Sequence, residues 1–178
     1  MTADDFVAQL QAAAPRAKDL QRVGLSRQEA EEFQRSYVPI PRTGVVARRT
    51  DPLLDLLLRY DLGKVEIGMI TFLSDGVTDP KVRQVGKVEA DPLLQDLHDG
   101  EVRVSEGDVR GRVLWRCAQD GGKFLDALAP AAAFLGVCAY DSDVSTNNAL
   151  RQAKADECAL SAGGSDYSAF YRMLLGCE

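Results

Sequence analysis

A single histidine stands among the 178 residues of this chain, and that scarcity removes whole classes of chemistry. No site built on several imidazoles can form, and a serine–histidine or cysteine–histidine relay would have to run through His98. His98 directly precedes Asp99-Gly100, so it is expected at an exposed loop tip, without the water-excluding walls that catalytic groups use. The four cysteines, Cys117, Cys138, Cys158 and Cys177, include no C-x-x-C pair and match no zinc-ligand spacing. They read as reduced, buried small hydrophobes.

Other signatures are missing too. There is no P-loop, no G-x-G-x-x-G and no EF-hand run of aspartates. Gly121-Gly122 precedes a helical pattern but lacks the Lys-Ser/Thr of a phosphate loop, so it reads as a plain helix start. No segment reaches the roughly 18 uninterrupted apolar residues that a membrane span needs. The longest quasi-apolar run, Ala127 to Ala139, is about one helix long. The opening MTADDFVAQL is acidic and lacks the basic start of a secretory signal, so a cytoplasmic location is expected. The sequence therefore predicts no catalytic set, no cofactor and no metal site.

What is present is an ordinary globular composition, 46% hydrophobic and 27% charged, in a length that suits one domain. Charge is unevenly placed. Residues 51–110 carry thirteen acidic and seven basic side chains, a deficit that alone equals the net charge of −6. Such a chain is repelled by phosphate backbones, which disfavours nucleic acid as a partner, whereas an acidic face speeds association with a basic protein.

Periodicity gives the organisation. Asp4–Ala14 has helical spacing, and Ser26 with Glu29 forms a capping-box pattern opening a helix over Arg27–Tyr37, which Pro39 and Pro41 end. Thr50-Asp51-Pro52 starts a leucine-rich helix that Gly63 closes. Val65 to Phe72 reads as one core strand, and Val82, Val85 and Val88 as extended chain. Asp99-Gly100, followed by alternating Val102, Arg103 and Val104, reads as a two-residue hairpin turn. Arg112–Arg116 reads as a further strand. Helical patterns return over Gly121–Leu135, Asn147–Leu160 and Asp166–Leu175. The tetrapeptide DPLL occurs at Asp51–Leu54 and Asp91–Leu94, but the first copy reads as helix and the second as strand, so it is no repeat. The expectation is an α+β protein: N-terminal helices over about 1–50, a mostly antiparallel sheet of about 4–6 strands over 64–117, and C-terminal helices over 122–176.

Three runs, YDLGKVEIGMITFL, VGKVEADPLLQDLHDGEVRV and VLWRCAQDGGKFLDAL, resemble the SUKH superfamily of bacterial immunity-like domains, which has a eukaryotic cell-wall regulatory branch. The matching positions are Gly86, Asp91, Pro92, Leu93, Asp99, Gly100, Val102, Phe124 and Leu125. The chain departs from that pattern in its added helical C-terminus and in lacking an aromatic-rich loop between Ile40 and Asp51. The resemblance implies a non-enzymatic protein that neutralises a cognate toxin by direct binding, with no nucleic acid or membrane partner. On that view Asp75, Asp79, Asp96, Asp99, Glu101, Glu106 and Asp108, together with Asp91, include the partner-facing charges. Two alternatives stay open: a regulatory scaffold of the same fold, and a hydrolase using acidic residues near His98, although no aromatic platform for a sugar flanks those carboxylates.

Overall fold

Side-chain caps start most of the helices. In the computed structural model, which describes residues 1–45, 49–73 and 79–177, Thr2 opens α1 (Ala3–Ala13) with a reciprocal bond to Asp5. A short α2 (Ala17–Arg22), which the periodicity did not reveal, precedes α3 (Arg27–Arg35). The Ser26–Glu29 capping box holds as expected, but α3 stops two residues short of Tyr37. Asp51 accepts the Leu54 N–H at the start of α4 (Pro52–Arg59), with Pro52 in the first turn. Gly63 does not close α4. The chain is already extended at Tyr60, because β1 (Ile40–Pro41) pairs antiparallel with β2 (Tyr60–Asp61).

The main sheet is an antiparallel meander of six strands in sequential order: β3 (Glu66–Ile67), β4 (Ile70–Phe72), β5 (Val82–Val88), β6 (Asp91–Asp96), β7 (Val102–Ser105) and β8 (Val113–Ala118). The fold is α+β, with this sheet in the middle of the chain. Val65–Phe72 is a hairpin rather than one strand. Ile67 faces Ile70 across a two-residue turn whose first residue, Gly68, sits at φ +59, a conformation glycine adopts without penalty. Conversely, Asp99-Gly100 is not a two-residue turn. Leu97–Gly100 is a four-residue loop, closed by the Asp96 N–H to the Glu101 carbonyl at 2.9 Å and the Gly100 N–H to the Asp96 carbonyl at 3.1 Å. A type I′ turn needs positive φ at both central residues, and only Gly100 has it, at +85.

α5 (Gly121–Cys138) runs through Pro130 unbroken, followed by α6 (Ser142–Ser145) and α7 (Asn148–Ala162). Gly163-Gly164 stops α7, and the last helical stretch divides into a 3-10 turn at Ser165–Tyr167 and α8 (Ser168–Leu174). One face of the sheet joins the helices: Ile70, Val85, Leu93 and Val104 share a buried cluster with Phe6, Leu56, Phe124 and Tyr171. Among the described residues α5 is the one helix long and apolar enough for a bilayer span, and half of it is buried inside the protein.

Leu94 is fully buried outside that cluster, and the β7–β8 loop is tied back to the start of β6 by the Gly107 N–H donating to Asp91. Arg110 of that loop reaches Asp79, just before β5, at 3.1 Å. The two DPLL segments part as expected, Asp51–Leu54 at the start of α4 and Asp91–Leu94 in β6.

The cysteines are all free, with Cys117 and Cys158 buried and Cys138 and Cys177 half-buried. Burial pushes the Cys158 thiol up to about 12 and the Tyr37 hydroxyl up to about 12, and lifts Cys117 and Tyr171 well above their ordinary ranges. Raised folded-state values mean that this stability is fully present below the unfolded values of 9.0 for thiols and 10.0 for tyrosine. It is lost as pH climbs from 9.0 toward about 12, because the unfolded chain sheds these protons first. Under reducing conditions the urea midpoint is expected to fall between pH 9 and 11, and to fall less steeply in Cys158→Ala. An unchanged slope in that variant removes the buried thiol from the account.

Candidate functional site

The structure disperses the acidic residues that the sequence grouped together. Asp75 lies outside the described residues. Asp79 pairs with Arg110 at 3.1 Å, Asp96 with Arg103 at 3.4 Å, Glu101 with Arg116 at 2.6 Å and Glu106 with Arg112 at 3.3 Å. Asp91 accepts the Gly107 N–H, and Asp108 the Arg110 N–H. The Asp79 carboxyl is held below its ordinary range by the Lys81 N–H first and the Arg110 guanidinium second. These groups stitch loops and strand ends together. Arg116 also reaches Asp166 at 3.3 Å and lies over the Tyr167 ring at 5.2 Å, so Glu101 belongs to a local network.

Two of the predicted residues, Asp96 and Asp99, do meet. They line a cleft of about 520 Å³ at the β6–β7 hairpin tip, together with Asp51, Gln95, Leu97 and Asp120. Two helices start there. Asp51 caps α4, and Asp120 caps α5 by accepting the Lys123 N–H at 2.8 Å, so both carboxylates face the positive ends of helix dipoles. Asp51 Oδ2 also accepts a 2.7 Å bond from Gln95 Nε2, and a Cβ on Gly121 would lie 2.5 Å from Asp51 Oδ1. Only glycine at position 121 lets the start of α5 approach the cap of α4 so closely.

Gln95 is 2% exposed, and its Oε1 has no hydrogen-bond partner, nor has the Nε of Arg83 directly across the β5–β6 pair. Among the described residues no lysine or arginine lines the cleft, and Leu97 stands 43% exposed at its mouth. His98 lines it too, exposed, with its peptide N–H donating to Asp96 at 2.8 Å. Carboxylates around an apolar mouth can accept the donors of a lysine or arginine side chain. Among the described residues no group of three or more His, Cys, Asp or Glu is close enough to hold a metal ion.

Asp51 was legible as a helix start but not as a member of a site, and Asp120 was not singled out, the start of α5 being read from Gly121-Gly122. The spacing of 44 residues between Asp51 and Gln95 hides their bond from any local pattern. A larger groove, of about 780 Å³, lies elsewhere, between α3 and the C-terminal end of α5. Its only sequence signal is the pair Leu25 and Phe33, apolar residues beside and within a helix otherwise dominated by charge.

No protein-family model matches the chain, and no curated protein or solved structure matches it.

Proposed function

We propose that this chain is a non-enzymatic binding protein of the immunity type, which neutralises a cognate bacterial toxin by docking on a basic surface of it. The supporting observation is the hairpin-tip cleft. Asp51, Asp96, Asp99 and Asp120 line it with no lysine or arginine among the described lining residues, beside the exposed side chain of Leu97. That combination, an apolar contact ringed by charge of one sign, suits an interface whose encounter is steered electrostatically. The resemblance to the SUKH superfamily supplies the toxin as the kind of partner. The reading places the protein in the cytoplasm, where four unpaired thiols stay reduced.

The site geometry selects the variant that tests it. Reversing Asp96 or Glu101 also breaks an ion pair, whereas Asp99 is exposed and, among the described residues, holds only the Glu101 N–H. Asp99→Lys combined with Leu97→Glu is therefore the informative change. With the product of the adjacent gene as partner, the wild-type chain is expected to relieve its toxicity and co-purify with it. The double variant should associate about tenfold more slowly or worse at low salt, with a flatter salt dependence. Unchanged association rules out the cleft as the contact, and no complex with that gene product rules out the immunity reading.

A further inference from the structure

We infer that the groove between α3 and the C-terminal end of α5 is a second docking site, and that it takes a basic amphipathic helix of a protein partner. This inference stands apart from the hairpin-tip cleft and does not require a toxin.

The floor of the groove is apolar. Leu25, Phe33, Tyr37, Leu135 and Ala139 line it. Phe33 stacks on Tyr37 with ring centroids 5.8 Å apart, and the Tyr37 hydroxyl donates to the Ala132 carbonyl, which fixes that wall against α5. α3 itself is lightly held: Ala30 is its one fully buried residue. At nine residues it spans about 13 Å, the length of two to three turns of a partner helix laid beside it.

The rim is negative. Glu29 and Glu32 of α3 and Glu66 of β3 border the groove, and Glu66 has no ion pair or hydrogen bond to its carboxylate among the described residues. Glu29 accepts the Ser26 N–H at 2.8 Å and Glu32 the Gln28 amide at 3.1 Å, neither of which neutralises charge. Among the described residues the one basic lining residue is Arg151, whose guanidinium donates to the carbonyls of Leu175, Gly176 and Ser145; its single charge leaves the three glutamates in excess.

A helix end also borders the groove. α5 ends at Cys138 with Ala139 as its cap, both lining the groove, and its last turn contains no basic residue. The partial negative charge at the end of this 18-residue helix opens into the groove, where Arg151 is close enough to Cys138 to offset part of it. An apolar floor and three rim carboxylates facing a single arginine favour an occupant with an apolar stripe and lysine or arginine along its edges.

The test uses the full chain and two fluorescent 16-residue helical peptides, one of leucine and lysine and one of leucine and glutamate. Two double variants alter charge by the same amount at exposed positions: Glu32→Lys/Glu66→Lys on the rim and Asp99→Lys/Asp108→Lys at the hairpins. Fluorescence anisotropy should show binding of the lysine peptide only. The rim variant should weaken it tenfold or more, and the hairpin variant less than threefold. In a Cys177→Ser background the bound peptide should also slow alkylation of Cys138. Equal losses in both variants would show unspecific attraction to an acidic protein and overturn the proposal. Binding of both peptides would show an apolar groove without charge selection. Self-association of the chain, read by sedimentation and abolished in the rim variant, would assign the groove to a second copy. A loss confined to the hairpin variant would move the peptide to the other cleft and leave the proposed function standing.

Discussion

Gly86→Ala is expected to lower stability by about 3 kcal/mol, with a fall in Tm of roughly 6–12 °C for a chain of this size. Gly86 faces Phe72 in the β4–β5 ladder, and a Cβ there would lie 2.2 Å from the Thr71 carbonyl oxygen and 3.4 Å from the Phe72 Cα. Both obstacles are backbone, so no rotamer change relieves them. The strands must part between β4 and β5, next to the irregularity between Gln84 and Gly86 where the β5–β6 register shifts. Val85 and Ile70, both fully buried, would lose packing as the ladder opened.

Gly107→Ala is the comparison. It sits at φ +72 with nothing within 4 Å of the new methyl, so only backbone strain of about 1 kcal/mol is expected. Thermal melts of the two variants separate the causes. A Gly86→Ala melt no lower than that of Gly107→Ala would mean that the sheet can spread at little cost.

The clash at Gly86 also shows what the sequence could express and what it could not. Two helix starts were legible because their chemistry is local: Ser26 with Glu29 and Asp51 with Pro52 each lie within one turn. Turns were harder to read. The β5–β6 hairpin turns at Glu89-Ala90, with Glu89 at φ +54 and no glycine, asparagine or aspartate to mark it. Asp99-Gly100 had the strongest turn signature in the chain, yet Asp99 keeps a negative φ and the loop takes two more residues.

The site followed the same division. An acidic excess over 51–110 was visible in composition. Which of those acids face solvent was not, because Arg103, Arg110, Arg112 and Arg116 find them across strands and loops. The groove beside α3 depends on two segments more than 90 residues apart in sequence, Phe33 on one wall and Leu135 on the other. No window of local periodicity contains both.

Asp51 is the residue where fold and proposed site are most tightly joined, and Asp51→Ala is expected to lower stability by about 3 kcal/mol. Two losses combine. The cap of α4 goes, at about 1 kcal/mol, because the Leu54 N–H loses its acceptor. The larger part comes from Gln95. That side chain is 2% exposed, its Oε1 already lacks a partner, and without Asp51 its Nε2 keeps only a 3.4 Å contact to the Gly100 carbonyl. A buried amide left without good partners costs about 1–3 kcal/mol.

Gln95→Leu separates the two losses, since leucine fills a similar volume and needs no partner. Alone it should shift stability by less than about 1 kcal/mol, because the unsatisfied Oε1 disappears with the bond to Asp51. Combined with Asp51→Ala it should restore about 1–2 kcal/mol relative to Asp51→Ala alone, a coupling that urea unfolding of the four proteins measures. Asp51→Asn should keep most of the cap while removing the charge.

These variants also distinguish posture from charge at the cleft. If the carboxylate of Asp51 itself meets a basic partner, Asp51→Asn should slow association while stability stays near wild type. If Asp51 acts by holding Gln95, and through Gln95 the Leu97–Gly100 loop, association should track stability across the series. Additive losses in Asp51→Ala/Gln95→Leu would break the link between the α4 cap and the hairpin, and leave the cleft with Asp96 and Asp99 as its working carboxylates.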